Sequence, residues 1–212
     1  MKTIKALVEG YRSFHGSTYE PNEALYRKLA TRGQAPETMV IACCDSRADP
    51  AMIFDAKPGA LFVTRNVANL VPPFEPEGDY HGTSAAIEFA VSGLRVRNIL
   101  VLGHARCGGV KAFLDGRYGR GTESGFIGKW ISLLEPTHGA LLHERPDLSP
   151  DAQQQALEYA AIRASLENLL TFPFVRSRVE AGELSLHGGY FDIATGALLS
   201  LDPASGEFLP VR

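Results

Sequence analysis

Three short apolar runs, rich in branched side chains, constrain the fold of this chain more than any other feature. They span Thr38–Cys43, Ala60–Thr64 and Asn98–Gly103, and polar or glycine-containing residues follow each of them. Such runs are typical of strands buried on both faces of a parallel sheet. Parallel strands need a crossover, and the segment Gly82–Leu94 supplies one because its apolar residues repeat with helical spacing. The pattern predicts an α/β fold with a central, mostly parallel sheet flanked by helices.

Further elements are expected on both sides of this region. Apolar residues repeat with helical spacing in two stretches near the N-terminus, and a serine followed by proline has the residue types of an N-cap and a first helical position. The predicted elements are helices over Ile4–Phe14 and Leu25–Ala30, a long helix from Pro150 to before Pro173 with Ser149 as its cap, and a strand over Leu184–Tyr190. We find no internal repeat, and Gly116–Gly128 is predicted to be a loop that runs into a helix.

Composition indicates one ordinary globular domain. The chain has 212 residues, of which 45% are hydrophobic and 21% charged, and no shift in composition marks a boundary, so residues 1–212 are expected to form a single domain. A formal net charge of -3 gives no electrostatic reason to expect nucleic acid as a partner. No apolar stretch approaches the roughly 18 residues of a membrane helix, and no signal core is evident, which favours a cytoplasmic location without a membrane partner.

The cysteines favour metal or thiol chemistry over disulfides. There are three, and two of them, Cys43 and Cys44, are adjacent. Neighbouring cysteines pair only with strain, and a third would be left over, so a disulfide framework is excluded. This usage is typical of a reducing compartment.

Cysteine and histidine also stand where two of the predicted strands end. Cys43 ends the first run and His104 follows the third, while Cys107 lies three residues beyond His104. The carboxyl ends of parallel strands share one edge of a sheet, where ligands gather, so these side chains are expected to converge. Two thiolates and an imidazole make a zinc site with one open coordination position, which is typical of catalytic rather than structural zinc. Cys44 points to the opposite face and is expected to be a buried apolar thiol.

Charged and glycine residues complete the predicted site. Asp45 can either accept a hydrogen bond from a zinc-bound water or displace that water as the fourth ligand, and both remain open. Arg47 is expected to hold the Asp45 carboxylate in place and keep it ionised. Gly108 and Gly109 allow the backbone to approach closely, and a helix that begins there places amide donors beside the thiolates.

Four segments carry a resemblance to a known family. They are Met39-Val-Ile-Ala-Cys-Cys-Asp-Ser-Arg47, Pro58-Gly-Ala-Leu-Phe-Val-Thr-Arg-Asn-Val-Ala-Asn-Leu-Val-Pro-Pro73, Gly82-Thr-Ser-Ala-Ala-Ile-Glu88 and Gly103-His-Ala-Arg-Cys-Gly-Gly109. These segments resemble the β-class carbonic anhydrases, and the similarity to the plant-like branch of that family covers nearly all of the chain. The resemblance implies one zinc ion per chain, bound by Cys43, His104 and Cys107, and an Asp45–Arg47 dyad. The implied activity is reversible hydration of CO₂ to bicarbonate and a proton by a zinc-bound hydroxide.

The resemblance also implies roles outside the ligand set. Gln34 matches a glutamine that donates a hydrogen bond to substrate, Phe62 matches an apolar wall residue, and we assign Gly108 to the same substrate-binding group. The family implies a homodimer or a higher assembly, a dimer or a tetramer, with each pocket at a subunit interface. Gln34 and Phe62 are therefore expected to serve across chains, and the N-terminal helices to pack on a partner subunit.

Two departures from family patterns carry expectations of their own. Phe89 stands where plant-like members have a tyrosine, so a hydroxyl near the pocket is missing. The Trp, Arg and Tyr of the bicarbonate-regulated branch fall here on Val40, Arg65 and Phe191. We therefore expect no allosteric bicarbonate site, and an Asp45 that pairs with Arg47 rather than with zinc.

Other functions predict different sequence features. A hydrolase of CS₂ or carbonyl sulfide on the same scaffold would use the same residues and differ in access to the pocket. A non-enzymatic protein with structural zinc would have a closed site. A zinc nucleobase deaminase needs His-x-Glu with Pro-Cys-x-x-Cys, and a thiol oxidoreductase needs Cys-x-x-Cys; neither motif is present.

Overall fold

The computed structural model describes residues 3–78, 81–119 and 125–211. In these ranges six strands form one sheet: β1 Thr38–Cys43, β2 Leu61–Asn66, β3 Asn98–His104, β4 Ser185–Phe191, β5 Leu198–Leu201 and β6 Phe208–Pro210. Their order is β2-β1-β3-β4-β5-β6. The first four strands in this order are parallel to one another, and β5 and β6 are antiparallel to their neighbours. The predicted mostly parallel α/β sheet is confirmed.

Helices flank the sheet and precede it. They are α1 Ile4–Phe14, α2 Glu23–Arg32, α3 Pro50–Ile53, α4 Gly82–Glu88, α5 Gly108–Leu114, α6 Phe126–Ile131, α7 Glu135–Glu144, α8 Pro150–Leu169 and α9 Pro173–Glu180. Ser149 caps α8 as predicted, since its side chain accepts a hydrogen bond from the Ala152 amide. α8 ends at Leu169, before Pro173 as predicted, and Pro173 itself lies in the first turn of α9. No helix in the described ranges is both long and apolar enough to cross a membrane.

The C-terminal strands arise from a short repeat that we did not expect. Asp192-Ile-Ala-Thr-Gly-Ala-Leu-Leu199 and Asp202-Pro-Ala-Ser-Gly-Glu-Phe-Leu209 share a pattern at a spacing of ten residues. In each copy the aspartate carbonyl accepts a hydrogen bond from the glycine amide, and the glycine adopts a positive φ, 74° at Gly196 and 71° at Gly206. The repeat therefore builds two similar turns that add β5 and β6 to the sheet. Gly116–Gly128 was predicted to lead into a helix; α6 confirms that helix, and residues 120–124 lie outside the described ranges.

α8 packs closely against the central strands β3 and β4 of the sheet. Ile162 of α8 is fully buried and lies against Gly103 of β3 and Gly188 of β4. A Cβ at Gly103 would lie 2.7 Å from Ile162 Cδ1, so any larger residue there would push Ile162 away from β3. The contact brings α8 beside the end of β3, where His104 is located.

Candidate metal centre

The sheet register brings the three predicted ligands to one edge. Cys43 is the last residue of β1 and pairs with Asn66, while His104 is the last residue of β3 and pairs with Phe191. β1 and β3 are parallel neighbours, so their carboxyl ends lie side by side. Cys107 then caps α5, which begins at Gly108 as the sequence predicts. Cys43, His104 and Cys107 are all buried.

The geometry of the three side chains suits a tetrahedral zinc ion. The Cys43 and Cys107 Sγ atoms are 3.9 Å apart, and both cysteines are free thiols. Two sulfurs at ordinary zinc–sulfur distances and a tetrahedral angle would be about 3.8 Å apart. The ligand atoms of all three residues lie within 4.8 Å of one another, and no other group of this kind occurs in the described residues. The predicted ligand set therefore forms one compact donor cluster.

His104 presents an unpartnered nitrogen to this cluster. Its Nδ1 lies 3.0 Å from the Ala105 carbonyl oxygen, which orients the ring. Its Nε2 is buried and, among the residues that the structure describes, is the only such side-chain nitrogen or oxygen without a hydrogen-bond partner. Buried polar atoms are rarely left in this state, so Nε2 is the atom expected to bind a metal.

The two thiols lie within hydrogen-bond distance of each other, with 3.9 Å between their Sγ atoms. The hydrogen bond between Cys43 and Cys107 lowers the pKa of Cys43, against the opposing effect of burial. The same hydrogen bond and burial raise the pKa of Cys107, although the Gly109 and Val110 amides act in the other direction. The hydrogen bond thus favours ionisation of one sulfur, and a bound cation would favour ionisation of both.

Asp45 and Arg47 form the predicted dyad at the rim of the cluster. Arg47 Nε donates to Asp45 Oδ1 at 2.9 Å and Nη2 donates to Oδ2 at 2.7 Å, a bidentate pairing. These hydrogen bonds hold the pKa of Asp45 well below its usual range, which keeps the carboxylate ionised. Oδ2 also lies 3.9 Å from His104 Nε2, so the carboxylate faces the ligand atoms.

Arg65 clamps the chain that carries this dyad. From β2 its Nε donates to the Cys43 carbonyl at 2.8 Å, Nη2 to the Asp45 carbonyl at 2.7 Å, and Nη1 to the Asp49 carboxylate at 2.7 Å. All three guanidinium nitrogens are thus engaged by the protein. Arg65 therefore serves to hold the segment from Cys43 to Asp49, and the lack of an allosteric bicarbonate site stays a prediction.

A strained segment after β2 packs against the second half of the site. Ala68 and Asn69 have positive φ values of 66° and 49°. A Cβ at Gly109 would lie 2.7 Å from Val67 Cγ1, so glycine is needed where α5 meets this segment. A hydrogen bond from Trp130 Nε1 to the Val67 carbonyl, 2.8 Å, holds the segment in place. Gly109, rather than Gly108, makes the close backbone approach.

Behind Cys107 lies a buried glutamate that the sequence reasoning missed. Glu158 of α8 is 4% exposed, and its Oε1 accepts hydrogen bonds from the Cys107 amide, 2.8 Å, and from Gln154 Nε2, 2.9 Å. Its Oε2 accepts one from the Tyr190 hydroxyl, 2.7 Å. Burial raises the pKa of Glu158, which these donors only partly oppose. A signal was available, because Glu158 lies in helical register with the buried residues Ala161, Ile162 and Ser165.

Several predicted residues lie away from the ligands within one chain. Phe62 pairs with Met39 on β1. Met39 is four residues before Cys43, so Phe62 lies about 13 Å along the strand direction from that ligand. Gln34 is exposed and precedes β1, whereas Cys43 ends it. The Phe62 ring packs against that of Phe89 in a tilted arrangement, with 5.7 Å between the ring centroids. Gly108 is exposed at the start of α5. Cys44 is exposed, so its expected burial is wrong for the isolated chain.

Comparison with protein families gives a match over most of the chain. The family model described as carbonic anhydrase matches residues 38–198. Beta carbonic anhydrase 3 of Arabidopsis thaliana is 36% identical over 197 residues, which are 92% of this chain and 76% of that protein. Beta carbonic anhydrase 5, chloroplastic, of the same plant is 43% identical over 167 residues, 79% of this chain and 54% of that protein.

Two of the solved structures with the same fold are β-carbonic anhydrases. The structure of the β-carbonic anhydrase CcaA has a TM-score of 0.90 and 31% sequence identity. The match covers 99% of this chain and 92% of the CcaA chain. A structure described among two tetrameric β-carbonic anhydrases from Sordaria macrospora has a TM-score of 0.81 and 29% identity, with 93% and 96% covered. The described strands, helices and ligand-bearing strand ends therefore belong to a fold found in these enzymes.

Proposed function

The chain belongs to the β-carbonic anhydrase family, and on this premise we propose that it catalyses the reversible hydration of CO₂ to bicarbonate and a proton with one zinc ion. The observation that carries the proposal is the donor cluster itself. Cys43, His104 and Cys107 present two sulfurs 3.9 Å apart and one unpartnered buried nitrogen. Three protein donors leave one coordination position for chemistry.

The residues around the cluster fit this reaction. When bound, zinc supplies a Lewis acid that lowers the pKa of water towards about 7. The Asp45 carboxylate, held ionised by Arg47, accepts a hydrogen bond from the reacting water and orients it. Burial of the donor residues keeps competing water away from a substrate that has neither charge nor hydrogen-bond donors.

Stopped-flow CO₂ hydration combined with metal analysis tests this function. We expect one zinc per chain, hydration that a sulfonamide inhibits, and loss of rate when a chelator removes zinc. A zinc-loaded protein without CO₂ hydration would contradict the proposal. Comparison of the rates with CO₂, CS₂ and carbonyl sulfide separates a sulfur-gas hydrolase, for which turnover of the sulfur gases would be the faster.

We further propose that two copies of the chain assemble and complete each pocket. None of the residues of α1 is buried, and its apolar side chains at helical spacing include Ile4, 76% exposed, and Tyr11, 61% exposed. Such an uncovered face favours a partner helix or sheet. A second copy would also explain the family roles of Gln34 and Phe62, which in one chain lie away from Cys43.

Light scattering on the purified protein tests the assembly. We expect a dimer or a tetramer, since a related structure is described as tetrameric. A Leu7→Glu, Tyr11→Glu double variant should dissociate because it places charge in the apolar face, while Lys5→Glu, which lies outside it, should not. A monomeric, fully active wild type would contradict this proposal.

The single domain and the cytoplasmic location stay proposals as well. One sheet with helices around it supports a single domain over residues 1–212, which a single unfolding transition would test. Three free thiols support a reducing compartment, which cell fractionation would test.

A further inference from the structure

The backbone of Cys107 is held from α8 rather than by the sheet. Cys107 lies beyond the end of β3, and its amide stands at the start of α5, where helices leave amides without partners. Glu158 Oε1 accepts that amide at 2.8 Å, and Gln154 Nε2 donates to the Cys107 carbonyl at 3.4 Å. Two side chains one helical turn apart thus hold both backbone groups of a metal ligand.

Both oxygens of the carboxylate that does this are themselves hydrogen-bonded to other groups. Gln154 donates to Oε1 at 2.9 Å and the Tyr190 hydroxyl donates to Oε2 at 2.7 Å. Tyr190 is 2% exposed and belongs to the main hydrophobic core. The position of the second sulfur is therefore tied, through three hydrogen-bonded groups, to the core packing between β4 and α8.

We propose that Glu158 is a positioning residue that holds the Cys107 thiolate in place for zinc and thereby sets how tightly the protein retains the metal. Glu158 accepts a hydrogen bond from the Cys107 backbone, while its other hydrogen bonds go to Gln154 and Tyr190, so it acts through Cys107 rather than on the reaction. The inference rests on the proposed zinc function only in that the three donors bind zinc. Changes of this kind around metal ligands typically cost 10–100-fold in metal affinity.

A merely structural role for Glu158 predicts a different result. In that case its loss would weaken folding of the metal-free protein and leave the affinity of the folded protein for zinc unchanged. Glu158 also lines an open pocket of about 460 Å³ with Arg106 and Asp192, so water can reach the space that a truncated side chain leaves. The truncated variant is therefore expected to fold.

Zinc affinity, measured by competition with a chromogenic chelator, tests the proposal directly. Glu158→Ala should bind zinc about 10–100-fold more weakly than wild type, and Glu158→Gln, which keeps an acceptor for the Cys107 amide, should stay within about threefold. Glu167→Ala removes an exposed glutamate from the same helix and should bind zinc like wild type. Urea unfolding of each metal-free variant separates affinity from stability.

Zinc affinity of Glu158→Ala within threefold of wild type would overturn the proposal. If that variant fails to fold, Glu158→Asp decides, since it keeps the charge but withdraws the carboxylate by one methylene group. We expect a loss of about tenfold in zinc affinity for it, and unchanged affinity would again overturn the proposal. A wild type that binds zinc tightly but does not hydrate CO₂ would contradict the proposed activity and leave this inference standing.

Discussion

The two segments that supply the thiols are held in opposite ways. The Cys43 limb, residues 43–49, is held by charged side chains near solvent, where Arg65 pairs with an Asp49 that is 38% exposed and Arg47 pairs with Asp45. The Cys107 limb, residues 104–109, is held by the buried Glu158, whose carboxylate accepts a hydrogen bond from the buried Tyr190. Solvent screens exposed charge pairs, whereas buried hydrogen bonds keep their strength. Loss of the Glu158 support should therefore appear in metal retention, and loss of the contacts of Asp45, Arg47 or Arg65 chiefly in rate.

The largest expected effect comes from loss of the zinc ligand on the Cys107 limb. Cys107→Ser should lose both zinc and CO₂ hydration. Its zinc affinity should fall by more than about 100-fold, since changes to a residue that only supports a ligand already cost about 10–100-fold. Metal analysis and stopped-flow rates measure both losses. Cys44→Ser is the matched control, since this exposed thiol is next to a ligand but is not one. A fully active, zinc-loaded Cys107→Ser protein would remove Cys107 from the site.

On the Cys43 limb, loss of the Asp45–Arg47 dyad should lower the rate of CO₂ hydration without loss of zinc. Asp45→Asn removes the negative charge that Arg47 stabilises, so kcat/KM for CO₂ should fall by about 100-fold while one zinc per chain remains. Arg47→Lys, which keeps the charge but loses the bidentate geometry, should be intermediate. If Asp45→Asn lost its zinc instead, the assignment of this limb to rate would be wrong.

The Arg65 clamp should give a smaller effect that includes stability. Arg65→Met leaves the Cys43 and Asp45 carbonyls without their donor and should lower the free energy of unfolding by about 3 kcal/mol. The rate should fall by about tenfold because Asp45 is less well placed. Urea unfolding and stopped-flow hydration on the same preparation measure the two changes. Equal rates in variant and wild type would show that the clamp serves folding alone.

The smallest expected effect is at the exposed end of that clamp. Asp49→Asn should cost at most about 1 kcal/mol of stability, since ion pairs this exposed contribute little. The difference from wild type should shrink as NaCl rises, because salt screens the pair. A large, salt-independent loss would instead mean that the Cys43 limb is held like the Cys107 limb.

Local patterns predicted most of the central fold. The runs at Thr38–Cys43 and Asn98–Gly103 became β1 and β3 almost residue for residue, because short apolar runs rich in branched residues suit strands that are buried on both faces of a sheet. Ser149 and Pro150 marked the start of α8, since capping depends on adjacent residues. β5 and β6 were missed because their apolar runs are short and only the paired turns at Gly196 and Gly206 bring them together.

The site divides in the same manner. Cys43, His104 and Cys107 were predictable because parallel strand ends meet at one edge, and Asp45 with Arg47 because they are two residues apart. Glu158 lies 51 residues after Cys107, and no local spacing connects the two. The contact exists only because Ile162 packs against glycines of β3 and β4 and so brings α8 beside the ligand.

The chemistry of this protein, two thiols and an imidazole beside an ionised carboxylate, was thus determined by the sequence itself, because strand ends and short spacings place those groups with little help. Only the tertiary structure decided how firmly each thiol is held. Charge near solvent secures one and a buried hydrogen-bonded glutamate secures the other, and burial is a property of packed elements rather than of any one segment.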